Sequence, residues 1–282
     1  LHVRSRRQRQ MCIRDRLKEM EKNMQFRPCI DIHNGQVKQI VGGSLLDAGN
    51  QAKENFVATQ DASFYADLYR KTGIRGGHII LLNKAGTEYY EADVEQARLA
   101  LHTYPGGLQI GGGIPAENAD EFLSMGASHV IVTSYVFRDG QVDYDRLQAL
   151  YKAVGKEHLV LDLSCRKKDG RYYIVTDRWQ KFTNEVVCKE TIEKLQEYAD
   201  EFLIHAVDVE GKANGVEEEL VAMLSEEADI PITYAGGVGS YEDIETIRTL
   251  GKGRLNVTIG SALDLFGGHL NYEKVLSMMD RV

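Results

Sequence analysis

Eight short runs of β-branched and apolar residues alternate with longer segments of helical periodicity from Phe26 onward. This alternation is typical of successive βαβ units around a parallel sheet. Eight such units fit a closed barrel better than a doubly wound open sheet, which usually has about five or six strands. We therefore predict an α/β fold, a (β/α)8 TIM barrel. The predicted strands cover residues 26–32, 78–82, 108–111, 129–134, 158–164, 202–208, 231–236 and 255–260.

The segments between these strands are predicted to be amphipathic helices. Two of the connections exceed the usual length of about two to six residues for a βα loop. One runs from His33 to about Gln60, and the other, predicted to be a hairpin lid, from Arg166 to about Thr183. Both follow a strand, on the face where barrels have their active sites. The predicted helices cover residues 61–72, 91–103, 116–125, 143–154, 189–200, 216–228, 241–250 and 270–281.

The two halves of the chain resemble each other at nearly one spacing. Asp31 recurs as Asp162, QIGGGI at 109–114 recurs as TYAGGV at 233–238, and IVTS at 131–134 recurs as TIGS at 258–261. Three matches in the same order indicate a duplicated half-barrel.

Asp31 lies inside an apolar strand, and Asp162 has the matching position in the second half. An ionised carboxylate buried in this way costs several kcal/mol unless it is paired or hydrogen-bonded. A satisfied ion pair or a helix cap would explain one such residue. Two carboxylates at the ends of related strands instead favour a general acid and a general base, as in an isomerase or a lyase.

Glycine clusters follow several of the predicted strands. Glycines between a strand and a helix let backbone N–H groups approach a phosphate closely, and the loops after strands seven and eight often bind phosphate in this fold. A single Gly-Gly pair is more often a tight turn, but two symmetric clusters predict two phosphates on one substrate. The predicted phosphate-binding residues are Gly111, Gly112, Gly113, Thr133, Ser134, Gly236, Gly237, Gly260 and Ser261.

Trp179, the only tryptophan, lies in the predicted lid. It is expected either to stack on a flat heterocycle of the ligand or to anchor the lid by hydrophobic packing. The four cysteines contain no C-x-x-C pair, and the eight histidines have no metal-binding spacing. We expect no metal and no cofactor. The scattered cysteines and the absence of a long apolar run indicate a cytoplasmic protein without a membrane partner.

Residues 1–25 carry eight Lys and Arg residues and three Asp and Glu residues, whereas the whole chain has a net charge of −8. We predict that residues 1–23 are a basic disordered extension, with a cloning or gene-assembly remnant as one origin, and that 24–282 form one catalytic domain. We expect no nucleic-acid partner, and a nucleic-acid arm and a transit segment are the alternatives for this extension.

Several motifs together are specific to one family. They are CIDIHNGQVKQIVGGSL at 29–45, LVLDLSCRKKDGR at 159–171, FLIHAVDVEG at 202–211 and TIGSALDLFGG at 258–268. From about Phe26 to its end, the chain resembles the phosphoribosylformimino-aminoimidazole carboxamide ribotide isomerases of histidine biosynthesis, in their eukaryotic form. The resemblance implies an Amadori rearrangement, an aldose-ketose isomerisation of a bisphosphorylated substrate, by a monomer without metal or cofactor.

By the same resemblance, Asp162 is the general acid that opens the ribose ring and Asp31 removes the proton at the second carbon, although the roles are exchangeable. The chain departs from the bacterial pattern after strand six, where a Thr-Asp/Glu pair is usual and this chain has His205 and Ala206. Asp208 is our candidate for the polar group in support.

Two other functions suit the same fold. The cyclase subunit of imidazole glycerol phosphate synthase shares the repeat, both aspartates and both phosphate loops. His33 after the first strand and DVEG at 208–211 argue against the cyclase. A non-catalytic phosphoribosyl-binding barrel is the other alternative, and the presence of both Asp31 and Asp162 argues against it.

Overall fold

The structure is a computed structural model that describes residues 24–40, 54–177, 179–212 and 215–279. The predicted basic extension over residues 1–23 therefore lies outside the described residues. Every predicted strand is present, with ends that differ by a few residues. The strands of the parallel sheet are β1 (Cys29–His33), β2 (Gly77–Leu81), β3 (Leu108–Gly111), β4 (Val130–Val132), β5 (Leu159–Asp162), β6 (Glu201–His205), β7 (Ile232–Ala235) and β8 (Leu255–Thr258).

A helix follows each of these strands in the described part of the chain. These helices are α1 (Ala62–Lys71), α2 (Tyr90–Thr103), α3 (Ala119–Ser124), α4 (Tyr144–Val154), α5 (Lys189–Leu195), α6 (Glu218–Glu227), α7 (Tyr241–Leu250) and α8 (Tyr272–Met278). Polar caps explain several of their starts. For example, the side chain of Asp61 accepts hydrogen bonds from two amides at the start of α1, and Ser240 and Asp243 form a capping box at the start of α7.

The eight strands pair in parallel and in chain order, from β1 to β8. The sheet closes because the residues just before β1 pair with β8. Arg27 N donates to Val257 O at 2.9 Å, and Val257 N donates to Gln25 O at 2.9 Å. The predicted (β/α)8 barrel is confirmed.

Alternation along the strands divides the core into two parts. In β6, Phe202 and Ile204 pack into the large apolar layer between strands and helices. Leu203, between them, points into the barrel and joins a small separate cluster. The interior therefore has one thin apolar layer, which separates a polar bottom from a polar mouth. The members of this inner cluster are Ile80, Ile131, Val160, Leu203 and Ala235.

The bottom of the barrel contains a buried polar network around Glu201, the first residue of β6. Its carboxylate pairs with Arg27 and accepts hydrogen bonds from Thr233 Oγ1 and from Gln109 Nε2, the latter at 2.8 Å. These side chains come from β3, β6, β7 and the segment that closes the barrel. The network ties the two halves of the chain together at the end opposite the mouth.

The first long insertion turns back onto β1. Asn34 and Gly35 have φ values of 52° and 72°, which suits a two-residue turn between antiparallel strands. The strand Gln36–Ile40 pairs with the end of β1, and the strand Glu54–Val57 pairs with Gln36–Ile40. The turn thus brings Gln39 back beside Asp31.

The second insertion corrects a prediction. In place of a hairpin, the lid is a three-stranded antiparallel sheet formed by Cys165–Lys168, Arg171–Thr176 and Lys181–Val186. The last strand was missed because it reads KFTNEV, with few apolar residues. It forms because its backbone pairs with the middle strand, with Val175 opposite Phe182.

Matching backbone conformations support the duplication of the half-barrel. Gly112 and Gly113 after β3 have φ values of 118° and 73°, and Gly236 and Gly237 after β7 have 117° and 78°. A Cβ atom at Gly112 or Gly236 would collide with the backbone at the end of the preceding strand, at Leu81 O or Ala206 O. Both copies therefore need glycine for conformation and for space.

Candidate active site

Asp31 is the middle residue of β1 and Asp162 is the last residue of β5, and both belong to the mouth of the barrel. Asp31 lines a cavity in this mouth, whereas Asp162 lies next to the cavity wall, in contact with His205. The cavity is polar because the strands end there in carboxylate, amide and imidazole side chains. The two predicted catalytic residues are thus connected through one group of polar residues.

Asp31 is partly open to the cavity. Gln39 Nε2 donates to its Oδ2 at 3.1 Å, and Cys29 Sγ lies 3.7 Å from the same oxygen. Burial and the nearby Glu210 carboxylate raise the pKa of Asp31 to about 7, although His205, Cys29 and Gln39 act in the opposite direction. Asp31 is therefore able to hold a proton near neutral pH.

Asp162 is buried, and its carboxylate is surrounded by donors. Ser164 donates to Oδ1 from its backbone N at 2.9 Å and from its Oγ at 2.7 Å. Thr133 Oγ1 donates to Oδ2 at 3.1 Å. Burial favours the neutral acid, but the charge of His205 and these hydrogen bonds hold the pKa of Asp162 below its usual value. The environments of the two aspartates thus differ as an acid-base pair requires.

His205 and Glu210 also belong to this group of residues, and neither was predicted as a site residue. His205 Nδ1 lies 3.4 Å from Asp162 Oδ1, and Asp162 raises the pKa of His205 to about 9 despite the opposing effect of burial. Glu210 lines the cavity, and burial raises its pKa. Within the described structure its buried Oε2 has no hydrogen-bond partner. A histidine at the end of β6 and a carboxylate in the next loop were the signals available in the sequence.

The predicted phosphate loops of the C-terminal half line the same cavity as Asp31. Gly236 and Gly237 follow β7, and Gly260 and Ser261 follow β8. The backbone N–H groups just before α7 already have an acceptor, because Asp243 Oδ2 accepts hydrogen bonds from Gly239 N and Ser240 N at 2.9 and 2.8 Å. A phosphate in this cavity would therefore use the amides of the two glycine loops.

The corresponding residues of the N-terminal half do not line the cavity in the described structure. These residues are Gly111, Gly112, Gly113, Thr133 and Ser134. Thr133 Oγ1 donates a hydrogen bond to Asp162, as described above. Ser134 Oγ accepts a hydrogen bond from the backbone N of Asp177 in the lid, at 3.1 Å. The lid therefore contacts this half of the mouth.

Trp179 lies in the turn between the second and third strands of the lid, with a φ value of 66°. Its Nε1 donates to Ser164 Oγ at 3.0 Å, and its ring centroid lies 5.7 Å from that of His205. Trp179 thus fastens the lid to the residues around Asp162. This contact is consistent with Trp179 as an anchor of the lid, although the anchor includes a hydrogen bond as well as apolar packing. Stacking of Trp179 on a ligand stays a prediction.

Asp208, the candidate for the polar group after β6, contacts the lid. It accepts hydrogen bonds from Arg166 Nε at 2.8 Å and from Lys167 N at 3.0 Å. His205 is the residue of this segment that contacts Asp162. Among the described residues, no contact between Asp208 and Asp162 supports the role predicted for Asp208.

Over the described ranges, no group of three or more His, Cys, Asp or Glu side chains has an arrangement suited to a metal ion. Nor do these ranges contain a helix that is long and apolar enough to cross a membrane.

Residues 25–271 match the protein family described as "Histidine biosynthesis protein". The chain belongs to this family. Within it, the chain is 54% identical over 259 residues to a chloroplastic protein of Medicago truncatula, covering 90% of this chain and 81% of that protein. It is 48% identical to a protein of Yarrowia lipolytica (86% and 92% covered) and 43% identical to one of Saccharomyces cerevisiae (87% and 94% covered).

All three relatives are named 1-(5-phosphoribosyl)-5-((5-phosphoribosylamino)methylideneamino)imidazole-4-carboxamide isomerase. The predicted resemblance to the histidine-biosynthesis isomerases is confirmed, and so is its fold. The similarity extends over both half-barrels, because the matched residues run from before β1 to the start of α8.

Proposed function

We propose that this chain is an isomerase of histidine biosynthesis that converts the phosphoribosylformimino-aminoimidazole carboxamide ribotide from its aldose to its ketose form. The observation that carries the proposal is the pair of aspartates at one barrel mouth, one with a raised pKa and one with a lowered pKa. The names of the relatives support this reaction over the alternatives. The reaction is an intramolecular oxidation and reduction, so no external electron acceptor is required.

The chemistry needs one proton donor and one proton acceptor. The donor protonates the ring oxygen of the aminosugar while the bond from that oxygen to the first carbon breaks, and the nitrogen lone pair forms a C=N bond. The acceptor then removes the proton from the second carbon, and those electrons form a C=C bond as the C=N electrons return to nitrogen. A proton then returns to the first carbon while the hydroxyl on the second carbon loses its proton and becomes the C=O group of the ketose.

The surroundings of the aspartates suit both of them for proton transfer. Asp162 is held ionised by His205 and Ser164, and Asp31, with a pKa raised to about 7, is able to give or to take a proton near neutral pH. The roles that the family resemblance implies, Asp162 as the acid and Asp31 as the base, stay a prediction. Asp31 also lines the cavity, so its proton is accessible to a sugar bound there.

We further propose that each half-barrel binds one phosphate of the substrate. The loops at Gly236–Gly237 and Gly260–Ser261 share the cavity with Asp31, which supports one phosphate there. The matching conformation of Gly112 and Gly113 supports a second phosphate at the glycine loop of the N-terminal half. With a net charge of −8, the chain needs such local backbone donors to hold a bisphosphate.

Turnover of the purified full chain tests this function. The ribotide is supplied as sole substrate, and the ketose is detected by coupling to a purified glutamine-dependent synthase. We expect ketose to form only when the chain is present. Direct formation of imidazole glycerol phosphate when the chain replaces the synthase cyclase, in the presence of ketose and ammonia, would instead identify the cyclase. Tight bisphosphate binding without either reaction would identify a non-catalytic barrel.

We also infer a monomer and a cytoplasmic location, although the Medicago relative is named chloroplastic. Light scattering of the eluting full chain should give the mass of one chain, and twice that mass would contradict the monomer. A fluorescent protein fused to the C-terminus of the full chain should fill the cytoplasm. Fluorescence confined to a plastid would instead identify residues 1–23 as a transit segment.

A further inference from the structure

A buried aspartate in the first turn of α2 holds the turn that follows β1. Asp93 accepts a hydrogen bond from Gly35 N at 2.7 Å through Oδ1 and one from Asn83 N at 3.2 Å through Oδ2. The residue is 0% exposed. A buried carboxylate is costly unless it is hydrogen-bonded, so Asp93 and the turn stabilise each other. Asp93 is not among the described residues that line the cavity.

Asn83, which follows β2, extends this contact to the other residue of the turn. Its Oδ1 accepts a hydrogen bond from Asn34 N at 2.7 Å, and its Nδ2 donates to Asn34 Oδ1 at 3.0 Å. The turn also packs closely on α2, because a Cβ atom at Gly35 would lie only 3.1 Å from Ala92 Cβ. Two elements, the end of β2 and the start of α2, therefore fix the position of the turn.

The strand after the turn interacts with Asp93 on one face and with Asp31 on the other. Side chains alternate along a strand, so Lys38 and Gln39 face opposite sides of Gln36–Ile40. The charge of the buried Lys38 acts on the Asp93 carboxylate. Gln39 lines the cavity, and its Nε2 donates to Asp31 Oδ2 at 3.1 Å. A shift of this strand relative to α2 would therefore move the Gln39 amide relative to Asp31.

We propose that Asp93 is a positioning residue for the isomerisation: by holding the turn after β1, it keeps the Gln39 amide in contact with Asp31. Its action on Asp31 passes through the strand Gln36–Ile40. The effect on turnover rests on the proposed function. The effect on the Asp31 carboxyl group does not, because it is a property of the free chain.

Asp93→Asn tests this role with almost no change in size. Gly35 N and Asn83 N each donate to one oxygen of the carboxylate. An asparagine offers a single acceptor oxygen, so its NH₂ group would face one of these N–H donors. The negative charge beside Lys38 is lost as well. The turn should therefore move away from α2, and Gln39 should move with it.

The position of Gln39 is measured through the titration of Asp31. The full chain carries ¹³C in its aspartate carboxyl groups, and the Asp31 signal is assigned by its loss in Asp31→Asn. The hydrogen bond from Gln39 lowers the pKa of Asp31, so its loss should raise that pKa. Gln39→Met is the reference variant, since methionine has a similar length but no N–H donor. Other groups that act on Asp31 are unchanged in these variants, namely Glu210, His205 and Cys29.

We expect Asp93→Asn and Gln39→Met each to raise the pKa of Asp31 by about half a pH unit or more. The double variant should raise it no further than Gln39→Met alone, because both substitutions remove the same contact. An Asp31 pKa in folded Asp93→Asn that equals the wild-type value would overturn the proposal. A sum of the two single effects in the double variant would also overturn it.

Asp143→Asn is the matched control. Asp143 is also buried, and it caps the start of α4, where it accepts a hydrogen bond from Arg146 N and pairs with Arg138. This variant should lose stability and leave the pKa of Asp31 unchanged, which is the result that a merely structural role would give for Asp93→Asn. If Asp93→Asn does not fold, Asn83→Ala provides a second variant. It removes the acceptor of Asn34 N, and it should raise the same pKa.

Turnover gives an independent measurement. In the conversion of the ribotide, Asp93→Asn and Gln39→Met should each lower kcat by about threefold to tenfold, whereas Asp143→Asn should stay close to the wild-type rate. A wild-type kcat in folded Asp93→Asn would overturn the positioning role. If the wild-type chain does not convert the ribotide, the proposed function fails, and the titration of Asp31 still decides whether Asp93 positions Gln39.

Discussion

Asp31 lies between Ile30 and Ile32 in a buried strand, and its ionisation opposes folding. Because its pKa is raised from 3.8 to about 7, the native chain binds this proton more tightly than the unfolded chain. The resulting stability is complete below about pH 4 and is lost as the pH rises toward 7. Asp31→Asn should escape this loss.

We therefore expect Asp31→Asn to gain stability relative to the wild-type chain between pH 4 and pH 7, by roughly 1–3 kcal/mol, with a constant difference above pH 7. This stability gain is smaller than the full pKa shift of Asp31 would imply, because Asp31 is partly open to the cavity. Urea unfolding at pH 4.5, 6 and 8 measures the difference. An equal difference at all three pH values would contradict the raised pKa.

Gln39 and Gly260 form another residue-scale test. A Cβ atom added at Gly260 would lie 2.5 Å from Gln39 Oε1, so Gly260→Ala should displace Gln39 from Asp31. We expect Gly260→Ala and Gln39→Ala each to lower kcat by about threefold to tenfold, the effect of one lost hydrogen bond. The double variant should be no slower than either single variant, since both remove the same contact. Additive losses would mean that Gly260 acts independently of Gln39.

Sequence patterns identified Asp31 and Asp162 because a carboxylate in an apolar strand is conspicuous. They did not identify His205 and Glu210, because a histidine or glutamate near a loop is usually solvated. What gives these two residues their significance is that β1, β5 and β6 bring them beside the aspartates. That proximity depends on barrel closure and is not visible in the spacing along the chain.

At the scale of elements, the lid is joined to the barrel through Trp179. Trp179→Phe keeps an aromatic ring but removes the N–H that donates to Ser164 Oγ. We expect kcat to fall by about threefold to tenfold, because one hydrogen bond near Asp162 is lost. Phe182→Leu is the control, since Phe182 is exposed on the same lid, and should have little effect. Equal kcat values for the wild type and Trp179→Phe would show that the Trp179 hydrogen bond does not support Asp162.

The eight barrel strands were predictable because their apolar runs are buried on both faces, which is typical of parallel sheets. The lid was predicted less accurately. Its third strand, Lys181–Val186, exposes several polar side chains and is defined by backbone pairing with Arg171–Thr176. Pairing of that kind leaves only a weak pattern in the sequence.

At the scale of the whole molecule, the two ends of the barrel have different tasks. Glu201 at the bottom joins Arg27, Gln109 and Thr233 and lies at the opposite end from the mouth. Glu201→Ala leaves buried polar groups unpaired and should lower the free energy of unfolding by about 3–5 kcal/mol. Below the unfolding transition, kcat should stay close to the wild-type value.

Lys252→Ala is the matched control, because its pair with Glu226 is exposed and should contribute little to the free energy of unfolding. Urea unfolding of both variants provides the comparison. Equal losses for the two variants, or a loss of kcat in folded Glu201→Ala, would contradict a separation between a stabilising bottom and a reactive mouth.

The duplication was visible in the sequence as three motif pairs, and the φ values of the two glycine pairs agree with it. The functional difference between the halves was not predictable. Asp177 of the lid contacts Ser134 in the N-terminal half, whereas the C-terminal glycine loops line the cavity. This asymmetry arises because the insertion after β5 forms a separate three-stranded lid, whereas the insertion after β1 pairs with β1 itself.

The most direct test of the acid-base pair is the turnover of the ribotide by the full-length Asp31→Asn and Asp162→Asn variants. Both substitutions keep the size of the side chain but replace the carboxyl group that gives or takes the proton by an amide. We predict that each lowers kcat by about 10²- to 10⁴-fold while bisphosphate binding is retained. Turnover within a few-fold of the wild-type rate in either variant would contradict catalysis by these two aspartates.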